Sequence, residues 1–278
     1  MSNFVVIGAG LLGNELKKII TDMGHNVKIV QKVEAEQQVI PDGSDIVIIT
    51  AQSADYKESN LTPDLLYVNT ILPLQIIQQS IKANVKKIAY CSSGSVYDDT
   101  CDEHIENEKI LLNTINPYKA TKYSAELLIK SFIGKFERVV IFRPFFMYGS
   151  YQNKNMLFSR IINSIKTGKT INLTNKKGLI FNPIHVKDAA MFVYQAILDK
   201  KDFDLCNIAG QETTSLQNIV EILSTILEKK ATVNFPNGKE TTLLGSIKKM
   251  KLFNFHHKID LKTGLSEMVG KNIADGNT

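Results

Sequence analysis

The chain has 278 residues, of which 44% are hydrophobic, with a formal net charge of +5 and a mean hydropathy of −0.07. This size and composition predict one sizeable core, or a core with a smaller lobe, and exclude a disordered or fibrous protein. No apolar run reaches the roughly 18 residues that span a bilayer, and an immediate predicted strand leaves no room for a signal peptide. The lysines are scattered along the chain, so nucleic acid is not an expected partner. Without an apolar span, a membrane is not an expected partner either. We expect a cytoplasmic protein.

Cysteine and histidine positions argue against a metal centre or a disulfide framework. Cys91, Cys101 and Cys206 lack paired spacing, and the five histidines lack the spacing of metal ligands. Cys91 and Cys206 fall in predicted strands, where a thiol is an inert core side chain. We therefore predict no metal site and a reducing compartment.

The first half of the chain alternates apolar runs with amphipathic helical patterns. Strands are predicted at 4–10, 26–31, 44–51, 86–93 and 138–144, and helices at 11–23, at 62–81 and from Tyr118 to about Lys135. Nearly continuous apolar strands that alternate with helices indicate an α/β fold, a Rossmann-like doubly wound parallel sheet.

Beyond residue 150 the pattern becomes irregular. Helices are predicted at 156–167, 186–199, 215–229 and near 260–270, with a strand at 204–210 and short elements around 231–235. We assign residues 1–150 to an NAD(P)-binding domain and 151–278 mainly to a small C-terminal substrate-binding lobe, with elements that interleave with the first domain.

The segment GAGLLG (8–13) follows a strand and opens a helix, the context in which a glycine fingerprint binds a dinucleotide. Gly8 permits the tight turn, Gly10 lets the backbone approach a pyrophosphate, and Gly13 allows the helix to pack closely on the strand. The amides of Leu11 and Leu12 at the helix N-terminus are expected to face the phosphates.

The end of the second strand reports on cofactor choice. An acidic residue there would bind the 2′-hydroxyl of NAD, whereas this chain has Gln31 and Lys32. We therefore expect NAD or NADP and favour NADP. Only residues 31–45 separate Val30 from Ile46, so at most a short strand at 37–41 fits, and the adenine side of the pocket is predicted to be trimmed.

In NPYKATKYSAE (116–126), Tyr118 and Lys122 stand four residues apart, which places them on one helix face. An ammonium held there is expected to lower the pKa of the phenol towards neutrality, which would make Tyr118 a general acid/base for a hydroxyl or carbonyl. A serine cluster at 92–95 ends a predicted strand, the edge at which parallel sheets bind ligands.

Together these motifs resemble the extended short-chain dehydrogenase/reductase superfamily, in its NAD(P)-dependent epimerase/dehydratase group. The matching segments, in order, are GAGLLG (8–13), ITAQSA (49–54), VNT (68–70), CSSGSVY (91–97), the Tyr118/Lys122 pair, RPFFMYG (143–149), NPIHVKDAA (182–190), CNIAG (206–210) and KIDLKTGL (258–265).

The resemblance implies a role for each matching residue. Tyr118 would be the acid/base and Lys122 would bind the nicotinamide ribose, while Ser93, with Ser92 and Ser95 as alternatives, would hydrogen bond the substrate oxygen. Ala51 and Asn69 are implied to lie at the cofactor. Structural or pocket-wall roles are implied for Arg143, Tyr148, His185 and Asp188.

The implied activity is that of an NAD(P)-dependent epimerase or 4-keto reductase of a nucleotide-linked sugar in surface polysaccharide synthesis. A homodimer through the helices at 62–81 and 118–134 is implied as well. Two departures leave the substrate open, because LIFN (179–182) lacks the arginine and acidic residue common there and FPNGKE (235–240) offers only Lys239 to a diphosphate. The alternatives are a reductase of a non-nucleotide carbonyl compound and a non-catalytic dinucleotide sensor.

Overall fold

A computed structural model describes residues 1–33, 37–98, 103–110, 116–201, 204–239 and 241–270. Cys101 lies outside these ranges. Cys91 and Cys206 are free thiols, and both are buried as expected.

Six parallel strands form the main sheet. They are β1 (Asn3–Ile7), β2 (Asn26–Val30), β3 (Ile46–Ile49), β4 (Lys87–Cys91), β5 (Arg138–Pro144) and β6 (Leu205–Ile208). Their order is β2-β1-β3-β4-β5-β6, with every neighbouring pair parallel. The chain steps one way from β1 to β2 and then crosses to the other side of β1. The crevice outside the carboxyl ends of β1 and β3 is therefore the switch point at which such sheets bind ligands.

Helices cover both faces of this sheet, which confirms the predicted doubly wound architecture. They are α1 (Leu11–Asp22), α2 (63–82, formed by Pro63–Leu66, a π-helical stretch Tyr67–Ile71 and Leu72–Lys82), α3 (Pro117–Lys130), α4 (Leu157–Thr167), α5 (Val186–Leu198), α6 (Leu216–Leu227), α7 (Lys248–Leu252) and α8 (Leu261–Val269). Short 3₁₀ turns occupy Gly94–Val96 and Ile133–Lys135. Helices α1 and α5 pack on one face, and α2 and α3 pack on the other.

The second half of the chain adds a third core and several short strands. In one small sheet, Leu179–Phe181 lies between Thr214–Ser215 and Thr241–Gly245, and Glu103–His104 pairs with the latter. Two further pairs join Met147–Tyr148 to Ile184–His185 and Ile171–Asn172 to Val233–Asn234. The apolar faces of α4, α6 and α8 form this third core.

Most predicted element boundaries hold within a few residues, and two local expectations are wrong. Met23, expected on the apolar face of α1, is 50% exposed because the helix ends at Asp22. Helix α3 ends at Lys130 and gives way to a 3₁₀ turn before the predicted end at about Lys135. Residues 37–41 form no strand, which agrees with the prediction of at most a short strand there, and Val39 and Ile40 are buried against the sheet.

Candidate active site

The glycine loop at 8–13 brings α1 very close to β1 and β3. Gly8 has φ +109°, a region that favours glycine, and an added Cβ there would lie 2.7 Å from the Ala51 amide nitrogen. An added Cβ at Gly13 would lie 1.9 Å from the Gly8 carbonyl oxygen. Both positions therefore require glycine for the packing of this loop.

Gly10 differs, because an added Cβ there would meet no protein atom within 4 Å. It is the N-cap of α1, which has no side-chain capping hydrogen bond, and the amides of Leu11 and Leu12 lie in the first turn, where helical N–H groups have no intrahelical acceptor. Open space, free donors and the positive end of a helix dipole meet at this point. These features fit the pyrophosphate of a dinucleotide.

Gln31 and Lys32 lie at the carboxyl end of β2, beside the glycine loop. The Val30 carbonyl accepts a hydrogen bond from the Gly8 amide at 2.8 Å, so the end of β2 borders the loop directly. Both side chains are exposed. The two exposed side chains therefore follow the strand end that borders the glycine loop.

Lys122 is almost completely buried between the glycine loop and the serine segment. Its ammonium donates to the carbonyl of Ala51 at 3.2 Å and to that of Cys91 at 3.2 Å, which joins the ends of β3 and β4. It also lies 5.2 Å from the centroid of the Tyr90 ring. Burial lowers the pKa of Lys122 to about 8.

Of the three candidate serines, Ser93 is the one that contacts Tyr118. Its side chain is hydrogen bonded to the Tyr118 hydroxyl and also lies 2.7 Å from the Ser95 hydroxyl. Ser92 is 6% exposed, and its hydroxyl has no protein partner among the described residues. Tyr118 stands in the first turn of α3, which Asn116 caps by accepting from the Lys119 amide at 2.8 Å. Two hydroxyl groups that can exchange a proton therefore meet at the carboxyl edge of the sheet.

The expected lowering of the Tyr118 pKa is wrong for this structure. Burial raises the pKa of Tyr118 to about 12, the bond with Ser93 opposes this shift, and Tyr56 adds to it. The ammonium of Lys122 is itself desolvated and is bonded to two carbonyls. The phenol is therefore protonated at neutral pH, the form that donates a proton.

Asn69 lies in the π-helical stretch of α2 and is fully buried. Its Oδ1 accepts from the Ser53 amide at 3.3 Å, and its Nδ2 donates to the Thr121 hydroxyl at 3.1 Å. Its carbonyl accepts from the Tyr90 hydroxyl at 3.2 Å. Asn69 thus ties the segment after β3 to α3 and β4, and π-helical bulges of this kind often occur at functional sites.

A buried polar network supports the serine segment from behind. Arg143 donates from Nε and from its second terminal nitrogen to the two carboxylate oxygens of Glu126, at 2.9 and 2.6 Å. Its remaining nitrogen donates to the Tyr97 hydroxyl at 2.7 Å, and that hydroxyl donates to Asn207 at 2.9 Å. The network joins the helix of Tyr118 to the segment of Ser93. Sequence reasoning placed Arg143 in a structural role but missed Glu126, which follows Tyr118 by two helical turns.

Phe181 and Asn182, in the segment that lacks the expected charged residues of a diphosphate clamp, serve packing instead. Phe181 is fully buried, and its ring lies 4.8 Å from that of Phe146. Asn182 exchanges two hydrogen bonds with the backbone of Gly245, at 2.8 and 3.0 Å. Lys239 is exposed.

The described part of the chain offers neither a metal-binding cluster nor a membrane span. No group of three or more His, Cys, Asp or Glu side chains there is arranged to hold a metal ion. None of the helices in the described ranges has the length and apolar character needed to cross a bilayer.

Comparison with known proteins places the chain in a family. The model of the NAD dependent epimerase/dehydratase family matches residues 5–209. The uncharacterized UDP-glucose epimerase YtcB of Bacillus subtilis strain 168 is 26% identical over 207 residues, 70% of this chain and 65% of that protein. The chain spans less than two thirds of the length of the first curated relatives that it matches.

Solved structures show the same fold over nearly the whole chain. A UDP-N-acetylglucosamine 4-epimerase from Methanobrevibacter ruminantium M1, in complex with UDP-N-acetylmuramic acid, is 22% identical with a TM-score of 0.84 and covers 99% of each chain. A UDP-glucuronic acid 4-epimerase from Bacillus cereus, in complex with UDP-glucuronic acid and NAD, is 21% identical with a TM-score of 0.80 and covers 96% of this chain and 98% of its own. The chain belongs to the NAD dependent epimerase/dehydratase family.

Proposed function

We propose that this protein is an NAD(P)-dependent epimerase or 4-keto reductase of a nucleotide-linked sugar. The observation that carries the proposal is the hydrogen-bonded pair of Ser93 and Tyr118 beside the buried ammonium of Lys122. The glycine loop supplies a cradle for a dinucleotide next to this pair. The named ligands of the solved relatives, UDP-sugars and NAD, support the same reading.

In the proposed mechanism each residue handles one part of the reaction. The bound cofactor would supply the hydride donor and acceptor, which the protein lacks. Tyr118 donates a proton to the carbonyl oxygen when a keto sugar is reduced, and it accepts the hydroxyl proton in the reverse direction. Ser93 holds the same oxygen through a second hydrogen bond. Lys122 supplies a positive charge at the junction of Ala51 and Cys91, where the nicotinamide ribose is expected.

The adenine side of the cofactor site favours a reductase. Tyr118 does not separate the two activities, because a reductase and an epimerase both need a proton donor when the keto sugar is reduced. A reductase must exchange its cofactor at each turnover, which suits the trimmed adenine side and the pair of Gln31 and Lys32. We therefore favour a 4-keto reductase over an epimerase.

For the cofactor we propose NADP. Gln31 and Lys32 introduce no carboxylate directly after β2, and an ammonium can pair with a 2′-phosphate. Titration of NADPH and NADH should show tighter binding of NADPH, and Lys32→Glu should reverse the preference. Equal binding of both cofactors by the two proteins would contradict this assignment.

We also propose a homodimer formed by α2 and α3. Large apolar side chains are exposed on both helices, namely Leu66, Ile71, Leu127 and Leu128. A second copy that brings the same helices against them would bury this surface in a four-helix contact. Light scattering should give a dimer mass, and Leu127→Glu should give a monomer.

The function is tested by identifying the nucleotide that the purified protein carries or binds, and then by assaying 4-keto and 4-hydroxy nucleotide sugars. We expect Tyr118→Phe to bind the cofactor as the wild type does but to lose at least a hundredfold in turnover, the usual contribution of a general acid. Retained stoichiometric NAD would favour an epimerase. Failure to bind either dinucleotide would refute the enzyme assignment, and unchanged turnover in Tyr118→Phe would refute the proposed acid.

A further inference from the structure

The segment 52–62, which we call the Tyr56 loop, leaves β3 directly after Ala51. Ser53 is hydrogen bonded to Asp64 in the first turn of α2, and its hydroxyl accepts from the Asp55 amide at 3.0 Å. Near the other end, the Thr62 hydroxyl donates to Asp55 at 2.6 Å. These hydrogen bonds tie the loop to the first turn of α2, the helix that contains Asn69.

At the centre of this loop, Tyr56 contacts the proposed acid. The rings of Tyr56 and Tyr118 meet edge to face, with centroids 6.3 Å apart and an angle of 68° between their planes. Aromatic side chains prefer this arrangement when they pack against each other. Tyr56 therefore packs beside the ring of the proposed proton donor.

The opposite end of the Tyr56 side chain reaches the second lobe. Its hydroxyl donates to the sulfur of Met156 at 2.9 Å, and Met156 is the N-cap of α4. The adjacent Lys57 makes a parallel link, because its ammonium donates to the carbonyl of Asn155. Two consecutive residues of the loop are therefore linked to the segment that opens α4.

Core packing does not account for these contacts. Tyr56 is only half-buried and belongs to none of the apolar cores of the described residues. A thioether is a weak hydrogen-bond acceptor, so a sugar hydroxyl could replace Met156 as the partner of Tyr56 at little cost. An aromatic face with a replaceable hydrogen bond suits a sugar ring, which offers both C–H groups and hydroxyls.

We propose that Tyr56 is a specificity-determining residue that contacts the sugar ring of the substrate, with its ring as one wall of the sugar site and its hydroxyl passing from Met156 to a sugar hydroxyl. This inference rests on the proposed function, because it assigns Tyr56 to the substrate of the same site. It places the sugar, rather than the nucleotide, against this loop, since the neighbour of Tyr56 is the proton donor Tyr118.

The chain contains no tryptophan, so Tyr56→Trp introduces a single fluorescent reporter. The probes are UDP-glucose and dTDP-glucose, with UDP and dTDP as ligands that lack the sugar, and binding is measured independently by calorimetry. We expect the sugar nucleotides to shift the Trp emission and the free nucleotides to leave it unchanged. Tyr151→Trp is the matched control, because Tyr151 is 86% exposed, and its emission should respond to neither.

Kinetics with the substrate that the wild type turns over give a second readout. We expect Tyr56→Ala to raise KM about tenfold with a smaller change in kcat, and Tyr56→Phe, which keeps the wall, to recover most of this loss. Tyr151→Ala should behave like the wild type.

The outcomes separate this inference from the proposed function. Binding of a sugar nucleotide without any response of Tyr56→Trp, or an unchanged KM in Tyr56→Ala, would overturn the role of Tyr56 and leave the function standing. If neither sugar nucleotide binds and the wild type turns over none, the nucleotide-sugar function fails, and the assignment of Tyr56 fails with it.

Discussion

Gly10→Ala separates ligand binding from folding more cleanly than any other change in the glycine loop. Gly10 has φ −77° and ψ −167°, a conformation that alanine adopts, and the added methyl would meet no protein atom within 4 Å. If a pyrophosphate lies over Gly10, the methyl must occupy part of its space. The prediction is a protein that folds normally and binds the dinucleotide poorly.

The expected energies are small for folding and large for binding. Replacing glycine by alanine at a helix N-cap costs up to about 1 kcal/mol, and the lower entropy of the unfolded alanine chain returns about 0.4–1 kcal/mol. We therefore expect a free energy of unfolding within about 1 kcal/mol of the wild-type value. Binding should weaken at least tenfold, which corresponds to about 1.4 kcal/mol.

The assay pairs denaturant unfolding with calorimetric titration of NADPH and NADH. Gly134→Ala is the control, because a Cβ at Gly134 also meets nothing within 4 Å and the site lies in a turn after α3. Gly13→Ala marks the other extreme, since its Cβ would fall 1.9 Å from the Gly8 oxygen and should reduce stability as well as binding. Wild-type affinity in a folded Gly10→Ala protein would refute the placement of the pyrophosphate.

Three further predictions concern buried polar side chains. Since burial lowers the pKa of Lys122 from 10.5 to about 8, its charged form is disfavoured in the fold, and wild-type stability should gain from this group as pH rises between these values. Lys122→Met should lack that gain while losing activity, so parallel curves of melting temperature against pH for the two proteins would contradict it. Glu126→Gln leaves the buried Arg143 charge without its carboxylate, and it should lower the free energy of unfolding, measured in urea, by about 3–5 kcal/mol. A loss below about 1 kcal/mol would show that the ion pair is not needed for stability. Gln79→Ala should lower the free energy of unfolding by about 1–3 kcal/mol, because it removes hydrogen-bond partners from backbone groups in the interior. Gln78 is exposed on the same helix, and Gln78→Ala should change the free energy of unfolding very little. Equal losses in the two variants would refute the role of these hydrogen bonds.

The sequence predicts this fold well where the signal is local. Glycine spacing, apolar strands and helix caps are read over a few residues, and the Thr62 cap is confirmed by its acceptance of a hydrogen bond from the Leu65 amide at 3.0 Å. Contacts between residues that are distant in the sequence cannot be predicted from such local patterns. Nothing near Glu126 indicates that Arg143, on a strand 17 residues later, will pair with it in the interior.

The error in the Tyr118 pKa has the same origin. The i, i+4 spacing correctly places Lys122 on the helix of Tyr118, but the sign of a pKa shift depends on burial and on the other partners of the ammonium. Here the ammonium is hydrogen bonded to the carbonyls of Ala51 and Cys91, and burial has the largest effect on the pKa of the Tyr118 phenol. Sequence spacing identifies the pair of residues, whereas the fold determines their protonation.

The shortened connection between β2 and β3 links the fold to the expected turnover. Sheet order makes β2 an edge strand, and in place of a further strand Gln79 binds the passing chain, accepting from the Val39 amide at 2.9 Å and donating to the Gln37 carbonyl at 2.7 Å. Lys28 on β2 adds a bond to the Val39 carbonyl at 3.1 Å. One side chain on α2 thus fixes the described part of this connection beside the sheet.

A cofactor bound at the glycine loop would therefore keep its pyrophosphate contacts while its adenosine end rests at a sheet edge with fewer walls. We expect such a site to hold the cofactor less firmly, which would suit an enzyme that must exchange it at every turnover. Rapid-mixing displacement of bound NADPH by excess NADP should therefore show dissociation at least as fast as turnover. A cofactor that remains bound through many turnovers would instead show internal return of the hydride, and the reductase assignment would give way to an epimerase.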